Sequence, residues 1–453
     1  MLRRIPCAAL ISAAMLITGC DGDDDSPALG DNGLNPVGGC SAADERQAVH
    51  DIMTDVYYWY DQVPEVDPED YSSNEELLDV LIQPEKDIGK KYSYLTTVEA
   101  EDAFLSNAAY TGFGFSMTRD TDGRVFLRET FEGGPAHEAG MRRGDEITAI
   151  DGAAVASMSA AQLNAALGPD EAGYSVTFDI THPDASPDTY EVAKAAVNST
   201  VVGKVMHDLG ADRDTTYIFF RSFVNPAFDQ LDDAFAGMQA ARDSQLVLDL
   251  RYNGGGLVSV AGHLGGLIAG YKQEGEILAK LEFNDRYQSS NEEYLISLLP
   301  DSVDVTDIVV ITTPSSASAS EMLINGLEPF SDTINVTTVG STSYGKPVGQ
   351  SRLEFCDTEI LRAVTFKVVN MDGNGEYYLG IEPDCAATDD IFNAFGDPVE
   401  ASLSSALYYL ENGSCDVTAS VKAMREHAKR MAMQPGDDPL LRDGWDVLTG
   451  GVR

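Results

Sequence analysis

The sequence has few basic residues for its length, and this shortage excludes one class of function. It contains 30 Lys and Arg against 74 Asp and Glu in 453 residues, which gives a formal net charge of −44. Such a field repels phosphate backbones, so nucleic-acid partners are excluded. The simplest interpretation is a solvated acidic surface; attraction of basic substrates is the alternative.

The sequence also lacks the spacings that bind metal ions or build a common hydrolase site. Its six histidines are scattered, and neither CxxC nor HExxH occurs, so no metal or cofactor is predicted. No GxSxG motif is present, which argues against a Ser–His–Asp hydrolase.

Long apolar runs are absent after the first twenty residues. Residues 8–17 form a short apolar run, which is typical of a secretory signal and too short to span a bilayer comfortably. The run ends in Leu16-Ile17-Thr18-Gly19-Cys20, which resembles a bacterial lipobox. Residues 1–19 are therefore predicted as a lipoprotein signal peptide and Cys20 as the lipidated residue. An ordinary signal with an incidental cysteine is the alternative.

The lipobox predicts a lipid-anchored protein of the cell envelope that faces the periplasm. Asp21, directly after the cysteine, resembles a signal that retains lipoproteins at the inner membrane. Residues 20–39 are rich in Asp, Gly, Pro and Asn and are predicted to form an acidic flexible tether.

Four further cysteines are expected in the mature chain: Cys40, Cys356, Cys385 and Cys415. An even number in an oxidising compartment predicts two disulfides, and four cysteines allow three pairings. We favour Cys356 with Cys385 and Cys40 with Cys415, because these bonds would join the late core locally and the chain ends to each other.

The pattern along the chain predicts a multidomain α+β protein. Helical spacing dominates residues 40–110, short strands and turns dominate residues 111–200, and buried strands alternate with helices in residues 201–412. That alternation predicts an α/β core with a mostly parallel sheet. Residues 413–453 are predicted as a helical tail, clearest from Val417 to Met433.

The β-rich region resembles a PDZ domain of the bacterial protease type, on the phrase PAHEAGMRRGDEITAIDG from Pro135 to Gly152. The preceding loop matches the one that receives a peptide C-terminal carboxylate in PDZ domains, and its binding residues would be Gly112, Phe113, Gly114 and Phe115. Glycines let backbone amides turn toward an anion, while the phenylalanines would line an apolar pocket. A structural hairpin turn is the alternative.

Two strand-to-helix junctions in the core carry unusual residues. The segment from Asp249 to Gly256 ends in three glycines, which allow exposed amides of the kind that an oxyanion hole needs; a flexible turn is the alternative. The segment from Thr313 to Glu321 places Ser318 at a helix start, near unpaired amides. An N-cap with Glu321 completing a capping box is the alternative there.

A lysine between Gly345 and Pro347 supplies a candidate base. If Lys346 is partly desolvated, its pKa falls, and the neutral amine can accept a proton from serine. A surface lysine in a turn is the alternative.

Together, DLRYNGGG, SASASE and GKPVGQ, in that order behind a PDZ-like domain, resemble the carboxyl-terminal processing (tail-specific) proteases over residues 111–410. The resemblance implies Ser318 as nucleophile, Lys346 as general base and Gln350 as the residue that orients the lysine. It implies oxyanion amides from Ala319 and the glycine run, with Gly255 the first choice and Gly256 the second. The proline after Lys346 resembles a lipoprotein branch of the family.

The implied function is a serine endopeptidase that cleaves cell-envelope proteins near their C-termini. Its partners would be proteins or peptides with free C-termini, with an activating adaptor left open. A non-catalytic envelope binding or scaffold protein on the same fold is the alternative. The presence of both Ser318 and Lys346 counts against it.

Overall fold

The N-terminal region is helical, as predicted. A computed structural model describes residues 40–120, 122–210, 214–419, 421–422 and 440–441. The region contains α1 (Ala42–Asp55), α2 (Asn74–Leu81) and α3 (Gln83–Asp87). A capping box between Ser41 and Asp44 starts α1, and the buried face of this helix packs against α2 and against strands of the core.

A strand and a helix lead from this region into the second domain. The strand β1 (Tyr94–Thr97) joins a sheet of the core, and α4 (Val98–Asn107) follows it. Next, β2 (Ala109–Gly112) pairs antiparallel with β9 (Ala195–Asn198). This two-stranded ribbon brings together the chain segments that enter and leave the PDZ-like domain.

The PDZ-like domain is a small sheet with two short helices. Its strands are β3 (Phe115–Arg119), β4 (Val125–Thr130), β5 (Glu146–Ile150), β6 (Ala153–Ala154), β7 (Ser175–Thr181) and β8 (Pro187–Ala193), and its helices are α5 (Pro135–Ala139) and α6 (Ala160–Ala166). Pro135 opens α5, and Gly140 closes it in the left-handed region, at φ 112°. Phe115, Met117 and Phe178 lie in the buried core of the domain.

The core is built on a six-stranded, mostly parallel sheet, as predicted. Its order is β10 (Val202–Leu209), β11 (Thr215–Phe220), β12 (Gln245–Asp249), β15 (Asp307–Thr312), β16 (Asn335–Gly340) and β19 (Cys385–Ala386), with only the β10–β11 pair antiparallel. Side chains alternate between faces: Ile218 and Phe220 pack with α7 (Ala227–Ala241), α8 (Val258–Gln273) and α9 (Ala319–Leu327). Tyr217 and Phe219 face α10 (Ala401–Asn412).

A second, antiparallel sheet lies against the N-terminal region. It contains β1, β13 (Ile277–Phe283), β14 (Glu292–Leu295), β17 (Val348–Phe355) and β18 (Glu359–Val369). Short 3₁₀ turns span Tyr60–Gln62, Pro68–Asp70, Val155–Ser157, Gln288–Ser290 and Glu328–Phe330. Lys346 lies two residues before β17, so the two sheets carry different parts of the predicted site.

The predicted disulfide pairing is wrong. Cys40 bonds to Cys356, and Cys385 bonds to Cys415. Cys356 lies in the turn between β17 and β18, which packs beside the start of α1, whereas Cys385 lies on the edge strand that α10 covers before the chain reaches Cys415.

Two predictions concern parts of the chain that are described only in part or not at all. The predicted signal peptide, Cys20, Asp21 and the tether to residue 39 lie outside the described residues, as does most of the helix predicted from Val417 to Met433. Near the C-terminus, β20 (Leu440–Leu441) is a strand. Among the described residues, no helix is long and apolar enough to cross a membrane, and no cluster of three or more His, Cys, Asp or Glu could hold a metal ion.

Candidate active site

The two unusual junctions lie side by side because they follow neighbouring parallel strands. In the sheet, β12 and β15 pair with Asp249 opposite Ile311, so the segments after them leave from the same edge. Asn253 joins the two junctions: its carbonyl accepts the Ala317 N–H at 3.0 Å and the Ser320 hydroxyl at 3.0 Å. The glycine segment and the serine turn are therefore one structural unit.

Ser318 has a backbone conformation that is rare for a residue with a side chain. Its φ is 55° and its ψ is −115°, and α9 begins at the next residue. Such conformations persist where the surroundings determine them, and they concentrate at functional sites. The turn before it is held by Ser316, whose hydroxyl donates to Leu250 O at 2.8 Å and accepts the Thr313 N–H at 3.0 Å.

Gly255 approaches the serine closely. A Cβ at this position would lie 2.7 Å from Ser318 Cβ and 2.9 Å from Ala317 O, and its φ is +103°. Only glycine fits both the space and the backbone angle without a shift of its neighbours.

The predicted oxyanion residues differ in whether their backbone N–H groups are already hydrogen-bonded. The Gly255 N–H donates to Asn253 Oδ1 at 2.9 Å. In the described part of the chain, the N–H groups of Gly256 and Ala319 donate to no protein acceptor. This geometry therefore favours Ala319 and Gly256 as the pair of oxyanion donors. The contribution of Gly255 is its close approach to Ser318. The oxyanion role itself stays a prediction.

Lys346 is buried and held by one side chain. Lys346 is 4% exposed, and its Nζ donates to Gln350 Oε1 at 2.6 Å. The Gln350 Nε2 donates to Tyr92 O at 2.7 Å and to Arg362 O at 3.0 Å, which fixes the direction of the amide. Burial lowers the pKa of Lys346 from 10.5 to about 8.

A small cleft brings the predicted residues together. Its volume is about 100 Å³, and its lining includes Ser318, Lys346, Gln350 and Gly256. One cleft therefore contains the predicted nucleophile, the predicted base, the glutamine that orients it and a candidate oxyanion donor, as the motifs predicted. The role of each residue stays a prediction.

Sequence reasoning missed the role of Glu321 as a link. The Oε2 atom of this fully buried carboxylate accepts the Ser318 N–H at 3.0 Å and the Lys346 N–H at 2.8 Å. Its Oε1 accepts from Ser343 Oγ and from the Gly345 N–H at 2.6 Å. Burial raises the pKa of Glu321, and these hydrogen bonds oppose the shift. The sequence signal was the capping-box spacing, which gave no sign of the lysine loop.

A buried ionic cluster holds the start of the glycine segment in place. The fully buried Arg251 guanidinium contacts Asp249 Oδ2 at 2.6 Å and Glu400 Oε1 at 2.8 Å. Arg251 is thus compensated on both sides, as a buried charge must be. The sequence indicated the Asp249-Leu250-Arg251 motif. It did not indicate Glu400, the third charged member of the cluster, which lies 149 positions after Arg251.

The PDZ-like domain touches the glycine segment. Arg128 lies 4.6 Å from the ring centre of Tyr252 and donates to Ser315 Oγ at 3.3 Å. Arg143 donates to Tyr252 OH at 3.2 Å. Two arginines of the PDZ-like domain therefore contact Tyr252 of the core, which directly precedes Asn253.

The predicted peptide-binding loop has the backbone of a tight turn. Gly112 ends β2 and Phe115 begins β3, with Gly114 at φ +78° between them. The rings of Phe113 and Phe115 stack with centroids 5.7 Å apart and are buried in the domain core. Carboxylate binding by this loop stays a prediction.

The edge of β3 beside this loop is occupied by the chain itself. In β20, Leu440 pairs with Thr118 and Leu441 with Met117, antiparallel. This edge of the sheet therefore accepts an added strand.

Fold and site together define a PDZ-containing α/β protein with a serine and a buried lysine in one cleft. Three family models match the chain: the Peptidase S41 N-terminal domain at residues 44–94, a PDZ domain at residues 132–171 and Peptidase family S41 at residues 214–387. These matches relate the core and the N-terminal region of this chain to peptidase family S41.

Named relatives agree with the family. The chain is 26% identical over 306 residues to a "CtpA-like serine protease" from Staphylococcus aureus, covering 66% of this chain and 57% of the relative. It is 24% identical over 281 residues to the "Carboxy-terminal processing protease CtpA" of Bacillus subtilis, covering 62% and 57%. The matched part thus spans little more than half of each curated relative.

A solved structure shares the fold. A crystal structure from Bacteroides fragilis, named as an S41 protease, superimposes with a TM-score of 0.66 at 22% identity, covering 81% of this chain and 97% of that chain. At this identity the likeness shows the fold alone. It confirms the α+β architecture that the sequence predicted.

Proposed function

We propose that this chain is a serine endopeptidase that works by acyl transfer, with Ser318 as nucleophile and Lys346 as general base. The observation that carries the proposal is the burial of Lys346 in the cleft that Ser318 lines, with its amine fixed by Gln350 at 2.6 Å. A desolvated lysine of lowered pKa is the kind of base that activates a serine hydroxyl.

Each residue has a defined step. Lys346 Nζ takes the hydroxyl proton as Ser318 Oγ attacks the scissile carbonyl, and the N–H groups of Ala319 and Gly256 stabilise the oxyanion. Lys346 returns the proton to the leaving amine, which breaks the peptide bond. Water then releases the acyl group from Ser318 with the same lysine as base.

The lysine determines the pH dependence. Its folded-state pKa is about 8, and only the neutral form accepts a proton. Activity should therefore be low below that pH and rise as the pH increases through it.

The proposed substrates are cell-envelope proteins, cleaved near their C-termini. The name of the Bacillus subtilis relative supports C-terminal processing, and the pairing of β20 along β3 supports a PDZ-like edge that accepts an extended peptide. The periplasm-facing location and the lipid anchor at Cys20 are proposed from the lipobox. Two disulfides agree with an oxidising compartment.

The test uses residues 40–453, which keep Cys40, with an unfolded protein of apolar C-terminus as substrate. Ser318→Ala and Lys346→Ala should each lower kcat by about 10³-fold or more, while circular dichroism shows an intact fold. Ser290→Ala and Lys367→Ala, outside the cleft, are the matched controls and should leave kcat unchanged. Activity that survives in both cleft variants would sink the assignment. A folded but inert parent would favour a binding protein.

A further inference from the structure

Arg362 places a guanidinium beside the proposed base. It lies on β18, is 11% exposed in its side chain and lines the cleft with Lys346 and Gln350. Its backbone carbonyl accepts the Gln350 Nε2 at 3.0 Å, and its Nη1 lies 3.4 Å from Gln350 O. The guanidinium is therefore placed against the residue that holds the lysine amine.

Glu101 on α4 fixes this guanidinium by a two-point contact. Arg362 Nε donates to Glu101 Oε2 at 2.9 Å, and Nη2 donates to Oε1 at 2.6 Å. Paired contacts of this kind hold the plane of the guanidinium as well as its position. Glu101 is 7% exposed in its side chain, so the pair is shielded from solvent.

The other charged groups that face Lys346 are carboxylates. Glu85 of α3 is buried and accepts from Tyr92, Ser93 and Tyr57, and Glu321 of α9 accepts the Lys346 N–H. Negative charge near an amine favours its protonated form, which is the wrong form for a base. Arg362 carries the opposing charge.

We infer that Arg362, fixed by Glu101, is a positioning residue that disfavours a second positive charge on Lys346 and so raises the fraction of this base that is neutral. The inference rests on the proposed Ser–Lys mechanism. Burial is the largest cause of the lowered pKa of Lys346, Glu85 and Glu321 raise it, and the Arg362 charge lowers it. The geometry explains how one cation offsets carboxylates on two helices.

The chain supplies a matched control. Arg352 also contacts Glu101, at 3.0 Å, has a side chain 10% exposed and lies opposite Arg362 on the paired strand. Unlike Arg362, it is absent from the cleft lining. Arg352→Gln thus removes the same charge and a contact to the same carboxylate, without removing a charge from the cleft.

The first experiment is the pH profile of kcat/KM. Arg362→Gln should move the acid limb to higher pH, lowering activity by roughly three- to tenfold near pH 7 and by less than about twofold near pH 9.5. Arg362→Lys, which keeps the charge, should restore most of the limb. Glu101→Gln should move the limb to lower pH, because it removes the carboxylate that offsets Arg362. Arg352→Gln should leave the limb in place.

A second readout needs no activity. In a Ser318→Ala background, the pH dependence of Lys346 acetylation by acetic anhydride, followed by mass spectrometry, reports the ionisation of the amine. Its midpoint should rise with Arg362→Gln and stay with Arg352→Gln. Equal midpoints would overturn the inference even if the protease assignment holds. A shifted midpoint in an inert parent would support the inference and reject the assignment.

Discussion

The nucleophile and the base of the proposed site are placed by different kinds of structure. Ser318 follows a strand of the parallel sheet, and backbone turns and the Asn253 carbonyl set its position. Lys346 precedes β17 of the antiparallel sheet, and its amine is directed by the Gln350 side chain. Gln350 in turn donates to Tyr92 O, a carbonyl of the N-terminal region.

This difference shows that the helical N-terminal region contributes to the proposed site. Lys90 donates to Tyr344 O, and Tyr92 OH donates to Gly345 O at 2.6 Å, so residues before β1 hold the lysine loop. The nucleophile side depends mainly on its own sheet, whereas the base side depends on contacts between regions far apart in sequence. Substitutions on the two sides should therefore differ in size.

Among substitutions that leave both Ser318 and Lys346 in place, the largest effect is expected on the nucleophile side, at Gly255. Gly255→Ala places a Cβ 2.7 Å from Ser318 Cβ, which must displace the serine or the oxyanion amides. We expect kcat to fall by about 10²–10³-fold with little loss of fold, as measured by steady-state kinetics and circular dichroism.

Gly373→Ala is the control for Gly255→Ala. Gly373 has a similar φ of +83° but no atom within 4 Å of the added Cβ, so it carries the backbone strain without the contact. Equal losses in the two variants would mean that strain, rather than the approach to Ser318, causes the effect.

A smaller effect is expected at the link between the sides. Glu321→Gln keeps the size of the side chain but turns one acceptor oxygen into a donor that faces backbone N–H groups. The Ser318 turn and the Lys346 loop would then lose one of their shared contacts. We expect kcat to fall about 10- to 100-fold. The exposed Glu328→Gln is the control, and an unchanged kcat for Glu321→Gln would show that the two sides need no link.

The nucleophile side could be predicted from the sequence because its parts are local. Each motif follows a strand directly, and the parallel sheet brings the ends of adjacent strands together. The alternation of buried strands with helices in this core was also predicted correctly, because the apolar spacing of helices such as α7 is strong. The same reasoning could not find Glu101, Arg362 or Tyr92 on the base side, since no local pattern indicates which distant strands and helices meet.

The predicted disulfide pairing was wrong for the same reason. The prediction joined the late core locally and the chain ends to each other, but the pairing depends on which surfaces pack. Cys356 lies at a hairpin turn beside α1, 316 positions from Cys40, and Cys385 lies under α10, close to Cys415. Both pairs have Cα atoms within the usual bonding range, at 5.4 Å and 5.3 Å.

The smallest effect is expected on the base side, at Tyr92. Tyr92→Phe removes the hydroxyl that donates to Gly345 O and leaves this buried carbonyl with one contact fewer, one residue before Lys346. We expect kcat to fall about three- to tenfold, because the loop keeps its Glu321 contacts while the lysine amine loses alignment. Tyr60→Phe, which removes the contact of a surface hydroxyl with Asp285, should leave kcat unchanged. If Tyr92→Phe matched the loss at Gly255, the base side would be as sensitive as the nucleophile side. The N-terminal region would then carry as much of the catalytic geometry as the parallel sheet does.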